Sequence, residues 1–267
     1  MEIIKSLLLG IIQGLTEFLP VSSSGHLEIS KLILGFNYEN TSSLFFTLVV
    51  HLATALSAII YFKDDVISIL KSVFTFKKDE NTFFALMIII SIIPAGLIGY
   101  LFEDQISSLF DGNLTLVGFM LIITAIILFF SDRVSDKKKK INFMSSVIIG
   151  ISQAFAILPG ISRSGSTIGT SIFLGVDREI AAKFSFLMVV PVILGSSLKL
   201  IVDNEINLEQ DNLINYTSGF IAALISGYYA CKWMIVFVKK SKLIYFSIYC
   251  LIVGILSIAV SNLYGQN

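Results

Sequence analysis

The chain has 267 residues, of which 55% are hydrophobic and 14% are charged, and its 19 basic residues balance 19 acidic ones. The charged fraction lies well below the quarter or so that is typical of soluble domains, and the mean hydropathy is +0.86. This composition excludes a soluble globular domain. It predicts an all-α polytopic membrane protein, for which no nucleic-acid partner is expected.

The first apolar segment, residues 3–34, is interrupted near its middle. A helical arm ends at Pro20, and a turn rich in serine and glycine then leads into a second arm. A helix needs about 20 apolar residues to cross a bilayer, and neither arm is that long. Because hydrocarbon tolerates irregular backbone only around a protein-lined cavity, we expect a re-entrant hairpin that enters and leaves by one face.

Three uninterrupted apolar runs follow, and each is long enough to cross a bilayer: residues 44–62, 82–102 and 114–130. A second interrupted segment, residues 143–174, has its own break at Pro159 and Gly160 and predicts a second re-entrant hairpin. Three more predicted spans complete the chain: residues 184–202, 216–238 and 243–260.

The two interrupted segments resemble each other. Five residues of the first segment recur in the second with the same spacing: Gly10, Gln13, Ser22, Ser24 and Gly25 as Gly150, Gln153, Ser162, Ser164 and Gly165. The sequence therefore predicts a single membrane domain of two repeats, residues 1–135 and 136–267. Each repeat has one hairpin and three spans, and because three is odd, the second repeat would run oppositely through the membrane. This is an inverted-topology repeat.

Loop charges agree with this topology. The loops at residues 63–81 and 131–142 are rich in lysine, which is typical of cytoplasmic loops. The loops at residues 103–113 and 203–215 carry acidic residues and contain neither lysine nor arginine. In the orientation that follows, both termini lie outside. The first hairpin then opens to the outer face and the second to the inner face.

Polar residues concentrate at the two breaks. Gln13 and Glu17 are four positions apart on one helical arm and so share a face, and Ser23 and His26 follow in the turn. A carboxylate such as Glu17 inside a membrane needs a partner. The second turn supplies Arg163, whose fork of donors suits phosphate oxygens.

Two motifs carry a family resemblance. The first runs from Gln13 to His26 (QGLTEFLPVSSSGH) and the second from Pro159 to Thr167 (PGISRSGST). Together they resemble the undecaprenyl-diphosphate phosphatase family, also called the bacitracin-resistance protein family, and the similarity covers essentially the whole chain. The resemblance implies a membrane phosphatase that converts undecaprenyl diphosphate to undecaprenyl phosphate. That reaction recycles the cell-wall lipid carrier for peptidoglycan synthesis and confers bacitracin resistance.

The resemblance also implies a divalent cation, Mg²⁺ or Ca²⁺, and a site that opens to the outer face of the bacterial plasma membrane. The family has Glu or Gln at the first position of its first motif, and this chain has Gln13. That choice weakens the case for two carboxylates on the metal and leaves Glu17 as the one predicted acidic ligand.

The predicted site has two groups of residues. The residues with predicted catalytic roles are Glu17, Ser23, His26 and Arg163, and those with predicted substrate-binding roles are Gln13, Ser22, Ser162, Ser164 and Thr167. Arg163 would neutralise the diphosphate, and Glu17 would orient His26 or hold the cation. The attacking group stays open: Ser23 with His26 as its base, His26 itself, or water.

Two further questions stay open at this level. Inverted repeats with broken helices also occur in transporters, so a transporter or flippase of an anionic polyprenyl lipid is the alternative function. The sequence does not decide whether the chain forms a homodimer.

His51 is left outside the site, because a helix–helix hydrogen bond explains it equally well. Cys231 and Cys250 are expected to be buried and unpaired.

Overall fold

The computed structural model describes residues 2–34, 40–109, 113–202 and 213–264, and over these ranges the protein is helical, with no β-strand. The helices in chain order are α1 (Glu2–Phe18), α2 (Ser23–Leu34), α3 (Asn40–Tyr61), α4 (Lys63–Phe74), α5 (Glu80–Leu101), α6 (Glu103–Ser108), α7 (Leu114–Asp132), α8 (Phe143–Phe155), α9 (Arg163–Phe173), α10 (Arg178–Val202), α11 (Leu213–Lys239) and α12 (Ile244–Tyr264).

Six of these helices are long and apolar enough to cross a bilayer: α3, α5, α7, α10, α11 and α12. Their outward faces expose large apolar side chains such as Leu97, Ile126 and Ile252. Such surfaces suit contact with lipid rather than water. The prediction of an all-α polytopic membrane protein is therefore confirmed. Each predicted span lies inside one of these helices, apart from a single terminal residue at Phe62, Phe102 or Leu243.

Two segments that were expected to be loops contain helices. Residues 63–81 include α4, whose first turn carries Asp64 and Asp65 and whose last turn carries Lys71. Charges in this order stabilise a helix through its dipole. The sequence analysis used the lysines of this segment only as topology signals and therefore missed the helix. Residues 103–113 likewise include the short helix α6. Of the predicted loop at residues 203–215, residues 203–212 lie outside the described residues.

The backbone of both interrupted segments breaks where the sequence predicts. In the first segment, α1 ends at Phe18, Pro20 follows, and Ser22 has a positive φ of 71° before α2 begins. In the second, α8 ends at Phe155 and Gly160 has a φ of +98°. A Cβ at Gly160 would lie 2.5 Å from the Val117 carbonyl oxygen of α7, so no other residue fits this close approach. The breaks therefore bring irregular backbone deep into the helical bundle.

The packing of the broken helices is reciprocal between the halves of the chain. Helix α1 lies against α11, α8 lies against α5, and α7 lies against α12. Close contact at the first two interfaces depends on Gly10 and Gly150, since a Cβ at either position would lie within 2.4 Å of a backbone oxygen of the facing helix.

The buried apolar core lies beside the first break. The ring of Phe18 packs edge-on against Phe186 at 5.2 Å between centroids, and both side chains are fully buried. Cys231 and Cys250 are buried free thiols, which confirms the prediction for them.

Candidate active site

The two helix breaks meet inside the protein. The guanidinium of Arg163, the first residue of α9, donates a hydrogen bond from Nη2 to Glu17 Oε1 at 2.7 Å. Beside this pair, Ser164 Oγ donates to the Leu19 carbonyl at 3.1 Å. The arginine turn and the serine turn, which the sequence separates widely, are therefore in direct contact.

Glu17 is the centre of the cluster. Its side chain is only 6% exposed, and a carboxylate so deeply buried is costly unless it is paired. Arg163 binds one of its oxygens, while Oε2 accepts hydrogen bonds from Gln13 Nε2 at 2.9 Å and from Ser23 Oγ at 2.7 Å. Gln13 lies one helical turn before Glu17, as the sequence spacing predicts. The carboxylate thus holds Ser23 and Arg163 on opposite oxygens.

Arg163 is held from a second direction by α10. Its Nη1 donates to the Ser185 carbonyl at 2.8 Å and lies 3.3 Å from Ser185 Oγ. Ser185 Oγ also shares a 2.7 Å hydrogen bond with Thr167 Oγ1. The guanidinium is therefore fixed in orientation by groups on two other helices. Ser185 has no signal in the sequence, because it sits between two phenylalanines in an apolar span.

The remaining hydroxyls of the two turns hold the backbone. Ser22 Oγ accepts from the Gly25 amide at 3.3 Å, and Ser162 Oγ accepts from the Gly165 amide at 3.1 Å. These are equivalent helix-start contacts in the two copies of the repeat. Ser22, Ser162, Ser164 and Thr167 are all nearly or fully buried, whereas Ser23 is partly exposed. Contact of the buried hydroxyls with substrate stays a prediction.

His26 lies in the serine turn but faces away from Glu17. Its Nδ1 is 2.8 Å from the Ser22 carbonyl oxygen, which can only accept, so Nδ1 carries the hydrogen. Its Nε2 therefore accepts the Tyr249 hydroxyl at 2.7 Å, and the two rings stack. Among the described residues, Glu17 accepts no hydrogen bond from His26, and the Ser23 proton points to Glu17. The sequence analysis predicts that Glu17 orients His26 or holds the cation, and that His26 is either the base for Ser23 or itself the nucleophile.

Two further residues lie beside the predicted site although the sequence analysis did not assign them to it. Tyr249 lies on α12, far along the chain from His26, and no motif marks it. His51, on α3, has Nε2 at 3.9 Å from Glu17 Oε2. The sequence shows His51 as a polar residue in an apolar span, but no motif or spacing links it to Glu17.

The residues of the site fit only one way of holding the divalent cation that the resemblance implies. Within the described ranges, no group of three His, Cys, Asp or Glu side chains is placed to hold a metal ion. Glu17 is the acidic donor, and Gln13 Oε1 is a buried oxygen without a hydrogen-bond partner in the described structure. Mg²⁺ is commonly held by one or two carboxylates together with substrate phosphates. These residues therefore fit a cation shared with a phosphorylated substrate, but not a cage made by protein alone.

The fold and this cluster together define a class: an integral membrane protein with buried ionisable side chains among its helices, and such side chains mark a functional site by default. The comparison with protein families specifies the class further. Residues 6–256 match the family described as Bacitracin resistance protein BacA, and the chain belongs to this family.

Curated relatives cover almost the full chain. A protein of Christiangramia forsetii named undecaprenyl-diphosphatase is 52% identical over 258 residues, which are 97% of this chain and 98% of the relative. The undecaprenyl-diphosphatase of Bacteroides fragilis is 46% identical over 98% of this chain and 100% of its own length. One from Methanobrevibacter smithii is 39% identical over 96% of each chain.

Proposed function

We propose that the protein is an undecaprenyl-diphosphatase, a membrane phosphatase that hydrolyses undecaprenyl diphosphate to undecaprenyl phosphate and inorganic phosphate. Relatives with this name match nearly the whole chain. The reaction recycles the lipid carrier of cell-wall synthesis and accounts for bacitracin resistance. The observation that carries the proposal is the contact of Arg163, Glu17 and Ser23 where the two helix breaks meet.

The proposed architecture is an inverted-topology repeat of residues 1–135 and 136–267. The reciprocal packing of α1 on α11 and of α8 on α5 supports it, since a two-fold relation between the repeats exchanges these interfaces. The lengths of α1 and α8, 17 and 13 residues, support re-entrant hairpins. In this arrangement the first hairpin opens to the outer face of the plasma membrane and the second to the cytoplasm.

The substrate would bind with its polyprenyl chain in lipid and its diphosphate at the helix breaks. Arg163, whose orientation Ser185 fixes, would present its guanidinium to the phosphate oxygens. The amides at the start of α9 add partial positive charge. Glu17 and Gln13 Oε1 are the groups that would hold a divalent cation, and the cation would supply charge neutralisation for the departing lipid phosphate.

Ser23 is the proposed nucleophile. Its Oγ would attack the terminal phosphorus, its proton would pass to Glu17 Oε2 at 2.7 Å, and the bond to the bridging oxygen would break. Undecaprenyl phosphate leaves with that electron pair. Water then attacks the phosphoserine, Glu17 returns its proton to the Ser23 oxygen as the oxygen–phosphorus bond breaks, and inorganic phosphate leaves. In this proposal His26 does not have the catalytic role that the sequence predicts. It holds the serine turn in place through its contacts with Ser22 and Tyr249.

The alternative, a transporter or flippase, would have the same architecture, but its function would not require the two turns to differ in chemistry. In the alignment of the repeats, Ser23 and Arg163 occupy the same position, each between two serines. A hydroxyl on one side and a guanidinium on the other match a nucleophile and an anion clamp. This chemical inequality favours an enzyme.

The proposal is tested with purified protein in detergent, where no membrane separates two compartments. We expect release of inorganic phosphate from undecaprenyl diphosphate, as no transport activity alone would produce it. Ser23→Ala should lower the rate at least about 100-fold, because it removes the attacking oxygen. Ser24→Ala, one residue away, is the matched control and should keep most of the activity. A Ser23→Ala protein with wild-type turnover would exclude Ser23 as the nucleophile.

A further inference from the structure

His51 has one nitrogen fixed and one free. It lies on α3, and its Nδ1 is 2.7 Å from the carbonyl oxygen of Thr47, one turn earlier. Because that oxygen can only accept, Nδ1 is the donor and the ring is held in one orientation. Nε2 has no hydrogen-bond partner among the residues that the structure describes. His26 differs, since Tyr249 already occupies its Nε2.

The free nitrogen points into the cluster at the helix breaks. It lies 3.9 Å from Glu17 Oε2, which is too far for a direct hydrogen bond, whose usual limit is about 3.2 Å. The His51 side chain is 27% exposed, whereas Arg163 is 16% exposed and Glu17 is 6% exposed. His51 is thus the most accessible of these three ionisable groups, and an incoming ligand would meet it first.

A diphosphate ester would need polar partners at the breaks beyond Arg163. Glu17 already occupies Arg163 through their 2.7 Å ion pair, and a buried phosphate oxygen without a hydrogen-bond partner is costly. The Nε2 of His51 lies beside this pair and has no hydrogen-bond partner among the described residues. It is therefore available to a ligand that enters the cluster.

From this geometry we propose that His51 is a further substrate-binding residue, and that its Nε2 shares a hydrogen bond with an oxygen of the diphosphate. The assignment rests on the proposed function for its substrate class. Inorganic pyrophosphate has the same diphosphate group without the lipid chain and is therefore the probe. Its binding is measured separately from turnover, so that the two proposals can fail separately.

The first test is calorimetric titration of the detergent-solubilised protein with pyrophosphate. His51→Leu should bind pyrophosphate about 10-fold more weakly than the wild type, because it loses a hydrogen bond to a charged group. His51→Gln, which keeps an N–H donor, should stay within about threefold. Leu56→Ala, on the exposed side of the same helix, is the control and should bind like the wild type.

A second test uses the wild type and needs no variant to fold. The chain has two histidines, so acylation of each by diethyl pyrocarbonate can be assigned by mass spectrometry of its peptide. We expect His51 to react and pyrophosphate to slow that reaction at least about fivefold relative to chloride at equal ionic strength. His26 should react slowly with either anion.

The assignment is overturned if His51→Leu binds pyrophosphate as tightly as the wild type, if saturating pyrophosphate leaves His51 acylation unchanged, or if the wild type binds no pyrophosphate. A wild type that binds pyrophosphate through His51 but releases no phosphate from undecaprenyl diphosphate counts against the proposed function alone.

Discussion

At the scale of single residues, the site depends on how Arg163 is held. Its guanidinium contacts Glu17 on one side and Ser185 on the other, through separate nitrogens. Lysine has one compact ammonium group and cannot make both contacts with the same fixed geometry. The shape of the arginine side chain therefore matters as much as its positive charge.

Arg163→Lys should lower kcat/KM for undecaprenyl diphosphate about 100-fold, since one or more donors to the transition-state charge are lost. Phosphate release in detergent measures this. Arg133→Lys is the matched control, because Arg133 lies at the exposed end of α7 with its guanidinium over the Phe129 ring, and it should retain wild-type turnover. Near-normal activity of Arg163→Lys would remove Arg163 from the proposed catalytic role.

At the scale of helices, glycines determine how closely the broken helices approach the spans. A Cβ at Gly10 of α1 would lie 2.3 Å from the Gly219 carbonyl oxygen of α11. A Cβ at Gly150 of α8 would lie 2.4 Å from the Ser91 carbonyl oxygen of α5. Real Cβ atoms do not approach backbone oxygens so closely, and backbone cannot move aside as a flexible side chain can. The two interfaces are therefore specified by small residues, as is common between membrane helices.

Gly10→Ala and Gly150→Ala should each destabilise the protein by about 1–3 kcal/mol, because the added methyl forces the paired helices apart. The matched controls are Gly96→Ala and Gly195→Ala, where a Cβ would meet nothing within 4 Å. These controls should leave stability unchanged or raise it slightly, since alanine is the better helix former. Thermal unfolding in detergent measures all four. An equal effect at the packed and the open positions would contradict this account of the interfaces.

At the scale of the whole molecule, the proposed inverted repeat fixes which segments face which side of the membrane. Both ends of the first hairpin would lie outside, and both ends of the second would lie inside. A helix that crossed the bilayer would instead place its ends on opposite faces. The topology can thus be tested without reference to activity.

Single cysteines labelled in intact cells by a membrane-impermeant maleimide test this topology. We expect Lys5→Cys, Ile33→Cys and Gln105→Cys to react from outside, and Lys77→Cys and Asp177→Cys to react only after lysis. Labelling of Lys5→Cys and Ile33→Cys from opposite sides would contradict the re-entrant hairpin. The native Cys231 and Cys250 are buried, so the wild type should stay unlabelled and serves as the control.

The sequence by itself determined the class of protein, the positions of the six spans and the positions of the two breaks. These properties are local, because the length of an apolar run decides whether a helix can cross a bilayer, and Pro and Gly decide where its backbone is interrupted. The same reasoning located Glu17, Ser23 and Arg163, since polar groups at a break in an apolar chain need a common partner. It missed α4 and α6, which are short surface helices with a weaker apolar pattern.

Only the tertiary structure decided which side chains pair. Ser23 donates to Glu17, His26 pairs with Tyr249, and Arg163 takes Ser185 as its second partner. All three contacts join residues on separate helices, and their geometry depends on how the helices pack around the breaks. Spacing along the chain carries no record of such packing, because it describes one helix at a time. For the same reason the sequence alone did not place His51, one polar residue in an apolar span, beside Glu17.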